Sequence, residues 1–200
     1  MAKTAPPRHS WIEEVRYRLE SPPPKRLPHP EAAVRRAAVL VPLYVDAGEL
    51  WTWLTRRSED LPHHRSQIAF PGGTLDPGED HWQAAVREAH EEIALEPKTA
   101  LRLGDLDELE TGTGFRIIPC VAAVPHFFEP VASEAEIAEV FKVPLSAFAH
   151  PRMAEDRPVL INGQERVLRI YHVGNRQVWG LTARVLTDLL ARLGVAPPVE

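Results

Sequence analysis

The stretch from Phe70 to Leu95, FPGGTLDPGEDHWQAAVREAHEEIAL, places a glycine pair and an acidic loop before a segment with helical periodicity. At about 100° per residue, its apolar side chains fall on one side of a helix. Glu88, Glu91 and Glu92 fall on another side, with Glu88 and Glu92 one turn apart. Like charges at this spacing destabilise a helix, so the cluster needs a compensating partner. The apolar stripe consists of Trp82, Ala85, Val86, Ala89 and Ile93.

Two interpretations of this acidic cluster are open from the residues alone. The first is a solvated helix face on which Arg87 forms a salt bridge, since charged helix faces are common. The second is a divalent metal site, because carboxylates are hard oxygen ligands that suit Mg²⁺ or Mn²⁺. The glycine pair and Glu79, which precede the helix, favour the metal site.

The spacing of these residues resembles the Nudix box. That pattern runs Gly, five residues, Glu, seven residues, Arg-Glu, an apolar residue, any residue, Glu-Glu, any residue, Gly and an apolar residue. Ala94 stands in place of the second glycine, and Ala89 fills the first apolar position. The sequence is therefore identified as a member of the Nudix hydrolase family. The matching residues are Gly73, Glu79, Arg87, Glu88, Glu91, Glu92 and Leu95.

The resemblance implies hydrolysis of a nucleoside diphosphate linked to another group, with Mg²⁺ or Mn²⁺ as cofactor. Glu88 and Glu92 are the implied main metal ligands, and the Gly73 carbonyl is an added one. Glu91 is implied either as a further ligand or as the base that activates water.

The remaining residues of the box have implied supporting roles. Arg87 joins Glu88 and Glu91 in the catalytic set and pairs with Glu79, which holds the loop to the helix. Gly72 and Glu79 shape the motif. Two carboxylates outside the box, Glu136 and Glu139, are alternative candidates for the base.

Residues 54–73, LTRRSEDLPHHRSQIAFPGG, resemble the signature that precedes the box in coenzyme A pyrophosphatases. Pro62 stands where that signature has Arg, and Ser66 where it has Gly. The resemblance continues through residues 113–124, 136–148 and 179–186. The agreeing residues are Leu61, His64, Gln67, Ala69, Phe70, Pro71, Gly72 and Gly73.

This second resemblance implies cleavage of coenzyme A or its derivatives to adenosine 3′,5′-bisphosphate and 4′-phosphopantetheine. The 3′-phosphate of such a substrate needs a basic or amide-rich pocket. Two alternatives stay open: a Nudix hydrolase for a nucleotide sugar, dinucleoside polyphosphate or oxidised nucleotide, and a non-catalytic nucleotide sensor. The candidate substrate-binding residues are Arg56, Arg57, His64, Arg65 and Gln67.

Composition limits the partners. The 200 residues carry a net charge of −5, which gives no general attraction to nucleic acid or to an anionic membrane. No apolar run is long enough to span a bilayer. The single cysteine, Cys120, suits a reducing cytoplasm. We therefore expect a cytoplasmic enzyme with a small-molecule substrate. The resemblance is compatible with a homodimer, since dimers are common in that family, but the residues themselves do not indicate the oligomeric state.

The order of the predicted elements indicates an α/β protein with a mixed sheet covered by helices. The resemblance narrows this to the Nudix fold, an α/β/α sandwich with a curved mixed β-sheet flanked by helices. Residues 1–30 are interpreted as an N-terminal extension with a short helix, capped by Ser10, and a proline-rich linker. Residues 31–195 are interpreted as the Nudix hydrolase domain. The pattern predicts a hairpin of strands at 37–45 and 50–57 around a turn at 46–48, and a strand that runs into a turn at Gly72 and Gly73. It also predicts a helix at 81–95 that Asp80 or the preceding acidic loop opens, a helix or turn from Ser133, a hairpin around Gly174 and Asn175, and a last helix ending at Gly194.

Overall fold

A mixed β-sheet of eight strands lies at the centre of the fold. The computed structural model describes residues 8–28, 34–59, 66–161 and 163–195. Its helices are α1 Arg8–Glu20, α2 His81–Ile93, α3 Leu145–Ala149 and α4 Gly180–Leu193, with 3-10 turns at Pro97–Thr99 and Pro151–Met153. Its strands are β1 Arg35–Asp46, β2 Glu49–Arg57, β3 Ile68–Ala69, β4 Gly72–Thr74, β5 Leu101–Asp105, β6 Leu109–Glu110, β7 Phe115–Ala123, β8 Ile137–Pro144, β9 Ala154–Ile161, β10 Gln164–Val173 and β11 Arg176–Val178.

β1 organises the sheet because three strands pair with it along its length. β7 runs parallel to it, from Arg35 opposite Phe115 to Leu43 opposite Ala123. β2 pairs antiparallel with its last residues and β4 with its first residues. β3 and β8 pair with β2, whereas β5 and β6 pair with β7. The strands β9, β10 and β11 form a separate three-stranded antiparallel sheet.

Helices cover both faces of the large sheet, and this confirms the predicted α/β sandwich. On one face, Leu40 of β1 packs in a core with Ala89 and Ile93 of α2. On the other face, Val41 and Leu43 belong to a core that includes residues of α1, α3 and α4. Successive residues of a strand point to opposite faces, so an apolar run such as 37–45 is what a strand covered on both sides requires.

The N-terminal helix contributes to the second core. Val15 and Leu19 of α1 are buried there. Gly104 in β5 allows the close approach, since a Cβ atom at that position would lie 3.2 Å from Leu19 side-chain atoms. The proposed domain boundary between residues 30 and 31 lies outside the described residues. Within the described part of the chain, no helix has the length and apolar character needed to cross a membrane.

Four local expectations differ from the structure. Ser10 lies inside α1, which begins at Arg8, so it is not the residue preceding the helix. Gly72 and Gly73 form strand β4 rather than a turn, because they pair with β1. α2 ends at Ile93, two residues earlier than expected. The segment after Ser133 forms a turn, as one alternative held, and continues as strand β8 along β2 rather than as a helix.

Candidate active site

A capping box fixes the start of α2, the helix that carries the acidic cluster. Asp80 Oδ1 accepts a hydrogen bond from the Gln83 backbone N–H at 2.8 Å, and Gln83 Oε1 accepts one from the Asp80 N–H at 2.9 Å. This reciprocal pair satisfies two backbone donors that the first turn leaves without partners. The apolar stripe then holds the helix against the sheet, so the glutamates have a fixed rotation about its axis.

Glu88 lies directly against the backbone of Gly73. A Cβ atom at position 73 would lie 2.3 Å from Glu88 Oε1, a distance that no side chain could accept without displacement. Gly73 is held there by pairing with Ala38 of β1. A side chain at this position would therefore displace the Glu88 carboxylate or the strand itself.

Glu92 is the most buried carboxylate of the cluster, with 3 % of its surface exposed. Its Oε2 accepts a hydrogen bond from the Gly72 N–H at 3.1 Å, and its Oε1 lies 3.3 Å from Arg57 Nη1. Burial raises the pKa of Glu92 to about 7, against the lowering effects of the Arg57 charge and the Gly72 hydrogen bond. Burial also raises the pKa of Glu88, although Arg87 opposes the shift.

Arg87 links the loop, the strand and the helix. Its Nε and Nη2 donate to the two carboxylate oxygens of Glu79 at 2.8 and 3.1 Å. Nη2 also donates to the Thr74 carbonyl at 3.0 Å, while Nη1 donates to Glu88 at 3.0 Å and to Glu91 at 3.3 Å. The hydrogen bonds from Arg87 hold the pKa of Glu79 below its ordinary value. The same arginine thus braces the loop and orients two of the three helix carboxylates.

The donor set at this site fits a divalent cation. Its side-chain ligands are all carboxylate oxygens, which Mg²⁺ and Mn²⁺ prefer. The raised pKa of Glu88 and of Glu92 means that the cations supplied by the protein do not fully compensate these buried charges. Glu91 differs from them, because 57 % of its side chain is exposed. In this arrangement Arg57 and Arg87 contact the carboxylates, so cation binding would require these contacts to rearrange.

A second group of potential ligands lies at the other end of α2. Ligand atoms of His81, Asp105 and Cys120 lie within 4.8 Å of one another. Among the described residues, the three carboxylates of Glu88, Glu91 and Glu92 are not this close together. However, Arg26 Nη2 is 2.7 Å from Asp105 Oδ2, and Arg102 Nη2 is 3.0 Å from Oδ1. Burial would raise the pKa of Asp105, yet its contacts with His81 and Arg102 hold it below the ordinary value. Two guanidinium groups already neutralise this carboxylate, so the group is a structural network.

The structure separates the residues that the sequence grouped as substrate-binding. Arg57 points to the α2 face of the sheet and contacts Glu92. Arg56 points to the opposite face and pairs with Glu139 of β8, with Nε and Oε2 at 3.3 Å. Gln67 accepts the Arg57 backbone N–H through its carbonyl at 3.0 Å. His64 and Arg65 lie outside the described residues, as does Pro62.

The turn before β8 also reaches the acidic cluster. The Ser133 N–H donates to the Glu92 carbonyl at 2.9 Å, which docks this turn on the end of α2. The negative charge of Glu136 contributes to the raised pKa of both Glu88 and Glu92. Glu136 is exposed. Its carboxylate is the fourth one whose negative charge acts at this site. The sequence offered this residue only as an alternative base, since its distance in the chain gives no local signal.

Comparisons with known proteins identify the family. The model of the NUDIX domain family matches residues 34–162. The chain belongs to the Nudix family. A protein of Pectobacterium atrosepticum, described as an uncharacterized Nudix hydrolase NudL, is 37 % identical over 187 residues, which are 92 % of this chain and 94 % of that protein. The NudL protein of Enterobacter sp. strain 638 is 36 % identical over 166 residues, 82 % and 85 % of the two chains.

A solved structure agrees on the fold. The crystal structure of a MutT/nudix family protein from Enterococcus faecalis superposes with a TM-score of 0.57 over 97 % of this chain and 75 % of that one, at 16 % identity. The protein is accordingly a Nudix pyrophosphohydrolase that acts on nucleoside diphosphate derivatives. Nudix hydrolases generally need divalent metal ions, and the donor set on α2 fits that requirement.

Proposed function

We propose that this Nudix hydrolase cleaves the diphosphate of coenzyme A or its derivatives, with Mg²⁺ or Mn²⁺ as cofactor. The observation that carries the proposal is the position of residues 54–73, the stretch that resembles the coenzyme A pyrophosphatase signature. Arg57 and Gly72, near its two ends, both contact the buried carboxylate of Glu92. The residues that resemble a substrate signature therefore lie next to the carboxylates of α2 that are proposed to hold the metal.

In this proposal the residues of α2 and of the neighbouring segments have different roles in the hydrolysis. Glu88 and Glu92, with the carbonyl of Gly73, would hold the cation. A bound divalent ion neutralises charge on the diphosphate oxygens and makes water more acidic. The exposed carboxylate of Glu91 takes the proton from the attacking water, and Arg87 keeps Glu91 and Glu88 in position. Glu136 is the alternative base, because its charge also acts on the buried pair.

The reaction is a hydrolysis in which water adds across the bridging bond. The water oxygen forms a new bond to one phosphorus atom, and the bridging P–O bond breaks. The bridging oxygen stays with the other phosphate, so two monoesters leave: adenosine 3′,5′-bisphosphate and 4′-phosphopantetheine or its acyl form.

A substrate panel with product identification tests this proposal. The purified protein is incubated with Mg²⁺ or Mn²⁺ and with coenzyme A, a nucleotide sugar, a dinucleoside polyphosphate and an oxidised nucleotide. We expect adenosine 3′,5′-bisphosphate from coenzyme A, at a higher kcat/KM than for the other substrates. No such product with either metal, from neutral to alkaline pH, would refute the proposal. A clear preference for another diphosphate would assign the second candidate substrate class.

A matched variant separates turnover from binding without turnover. Glu92→Gln keeps the size of the side chain and removes a proposed ligand charge. We expect it to abolish hydrolysis while the protein stays folded by circular dichroism. Unchanged activity would refute the ligand assignment. A wild-type protein that binds nucleotides but hydrolyses none of the panel would be the non-catalytic sensor. Homodimer formation and cytoplasmic location stay predictions from the sequence, and light scattering tests the first of them.

A further inference from the structure

Arg176 and Arg56 converge on one carboxylate on the face of the sheet opposite α2. Arg56 Nε lies 3.3 Å from Glu139 Oε2, and Arg176 Nη2 pairs with Glu139 Oε1. The two arginines hold the pKa of Glu139 below its ordinary value, so that carboxylate is charged. Two cations and one anion leave a local excess of positive charge in a chain whose net charge is −5.

This cluster is oriented and remains open to solvent. The guanidinium of Arg176 stacks over the ring of Phe141, with its carbon atom 4.4 Å from the ring centroid, which limits the directions it can adopt. About a third of each side chain is exposed: 33 % for Arg56, 30 % for Arg176 and 31 % for Glu139. Two guanidinium groups carry more N–H donors than one carboxylate can accept, so donors remain for an anionic ligand.

Two residues of the cluster, Arg56 and Glu139, lie on β2 and β8 of the large sheet, next to the residue of β2 that contacts the acidic site. Arg56 precedes Arg57, and consecutive Cα atoms are about 3.8 Å apart. Arg57 contacts Glu92 on one face, while Arg56 contacts Glu139 on the other. β2 ends at Arg57, and its partner β8 begins at Ile137. The acidic site and the arginine pair therefore lie on opposite faces of the sheet at adjacent positions of one strand, close to its end.

Arg176 also lies outside the match to the NUDIX domain model. The NUDIX domain match ends at residue 162, whereas Arg176 begins β11 of the small sheet. The acidic helix is within that match and carries the shared chemistry. A cation supplied from outside it is placed to select among substrates rather than to take part in the hydrolysis.

We propose that Arg176 and Arg56, bridged and oriented by Glu139, bind a second phosphate group of the substrate, separate from the diphosphate that is hydrolysed. The ligand class is a nucleotide with a phosphate monoester on its ribose. The inference rests on the proposed function for its natural substrate, because coenzyme A carries such a group. Arg57, which faces the acidic site, does not belong to this subsite.

The first arm of the test measures binding and needs no turnover. Calorimetry compares adenosine 3′,5′-bisphosphate with adenosine 5′-monophosphate on the wild-type protein and on Arg176→Gln. The wild type should bind the bisphosphate more tightly, and the variant should lose about 10–100-fold of that preference, the range of a charged hydrogen bond. A wild type without preference, or a variant that keeps it, would overturn the proposal.

A matched control removes the purely structural explanation. Arg169→Gln breaks another arginine–carboxylate pair of the small sheet, in which Nε lies 2.7 Å from Asp156 Oδ1. We expect this control to retain the preference for the bisphosphate. If Arg176 served only to join the two sheets, both variants would lower the melting temperature and neither would change the preference. That result would refute the subsite.

The second arm measures turnover and separates this inference from the proposed function. The ratio of kcat/KM for coenzyme A to kcat/KM for dephospho-coenzyme A should fall in Arg176→Gln, mainly through KM for coenzyme A. If the wild type does not cleave coenzyme A, the proposed function fails, and the binding arm still decides the subsite. If the wild type cleaves coenzyme A and the ratio is unchanged in the variant, the subsite fails alone.

Discussion

The guanidinium of Arg57 lies 3.3 Å from the buried carboxylate of Glu92, although the two residues are 35 positions apart in the chain. This contact joins the end of β2 to the last turn of α2. It also places a residue from the substrate-like signature against a proposed metal ligand. The pair is partly buried, with 25 % of the Arg57 side chain and 4 % of the Glu92 side chain exposed. Substitution of either residue should therefore change the free energy of unfolding by a measurable amount.

Arg57→Met should destabilise the protein in a way that depends on Glu92. Removing one partner leaves a buried carboxylate without its cation, which costs about 1–3 kcal/mol for a partly exposed pair. The cost should largely vanish in a Glu92→Gln background, where no charge remains to be compensated. Chemical denaturation of the four proteins of this cycle, at pH 8 with a chelator, measures the coupling. Additive effects of the two substitutions would show that the two side chains do not interact.

The raised pKa of Glu92 predicts a pH-dependent stability with a defined sign. A folded-state value of about 7 lies above the ordinary value near 4.3, so the unfolded chain releases this proton at lower pH. Stability is then lost as pH rises between these two values. Glu92→Gln, which cannot ionise, should be more stable than the wild type at pH 8 with a chelator, by roughly 1–3 kcal/mol. At pH 4 the two should be alike.

Added Mg²⁺ or Mn²⁺ should reverse that order. A ligand that binds only the folded state stabilises it by mass action, and the wild type has the full set of carboxylates. Thermal unfolding with increasing metal concentration is the measurement, and Lys98→Gln on the exposed 3-10 turn is the control. An equal gain in melting temperature for the wild type and Glu92→Gln would contradict the assignment of Glu92 as a ligand.

The sequence was most informative where local rules decide the structure. The capping residue Asp80, the apolar stripe of α2 and the αL residue Gly194 after α4 all act within a few positions of the chain. Turn residues predicted the β1–β2 hairpin and the hairpin around Gly174 in the same way. These signals need no knowledge of distant partners.

Long-range pairing explains the strands that differ from the expectations. Ser133 and Glu136 have the spacing of a capping box, yet the following residues form β8 because β2 offers a strand to pair with. The Arg56–Glu139–Arg176 cluster joins residues 83 and 37 positions apart, and no local pattern reveals it. The sequence could have predicted that Arg56 and Arg57 lie on opposite faces of the sheet, since successive side chains of a strand alternate between its faces.

Gly73→Ala should greatly lower activity. The added methyl group would lie 2.3 Å from Glu88 Oε1, so either the carboxylate or β4 must move. A displacement of about 1 Å at a catalytic group costs on the order of 100-fold in rate, and we expect kcat to fall by at least that factor. Gly112→Ala is the matched control, because a Cβ atom there meets nothing within 4 Å. Wild-type kcat in Gly73→Ala would show that Glu88 does not need this close contact.

Ala94→Gly should stabilise the protein. Ala94 follows α2 with a φ of 58°, the left-handed conformation that glycine adopts without steric cost, and the Nudix box has glycine at this position. The conformation is required, because the Ala94 N–H donates to the His90 carbonyl at 3.0 Å and the chain then turns Leu95 into the core. Removing the Cβ atom should add about 0.5–1 kcal/mol to the free energy of unfolding.

The control for this substitution is an alanine in an ordinary backbone conformation. Ala100 has a φ of −81°, so Ala100→Gly removes a side chain without relieving any steric strain. It should lower the melting temperature, since glycine gives the unfolded chain more conformational freedom. Differential scanning calorimetry of both variants should therefore give shifts of opposite sign, of about 1–4 °C for Ala94→Gly. A fall in both would mean that the left-handed residue carries no strain, and that the alanine in place of the Nudix glycine costs this chain nothing.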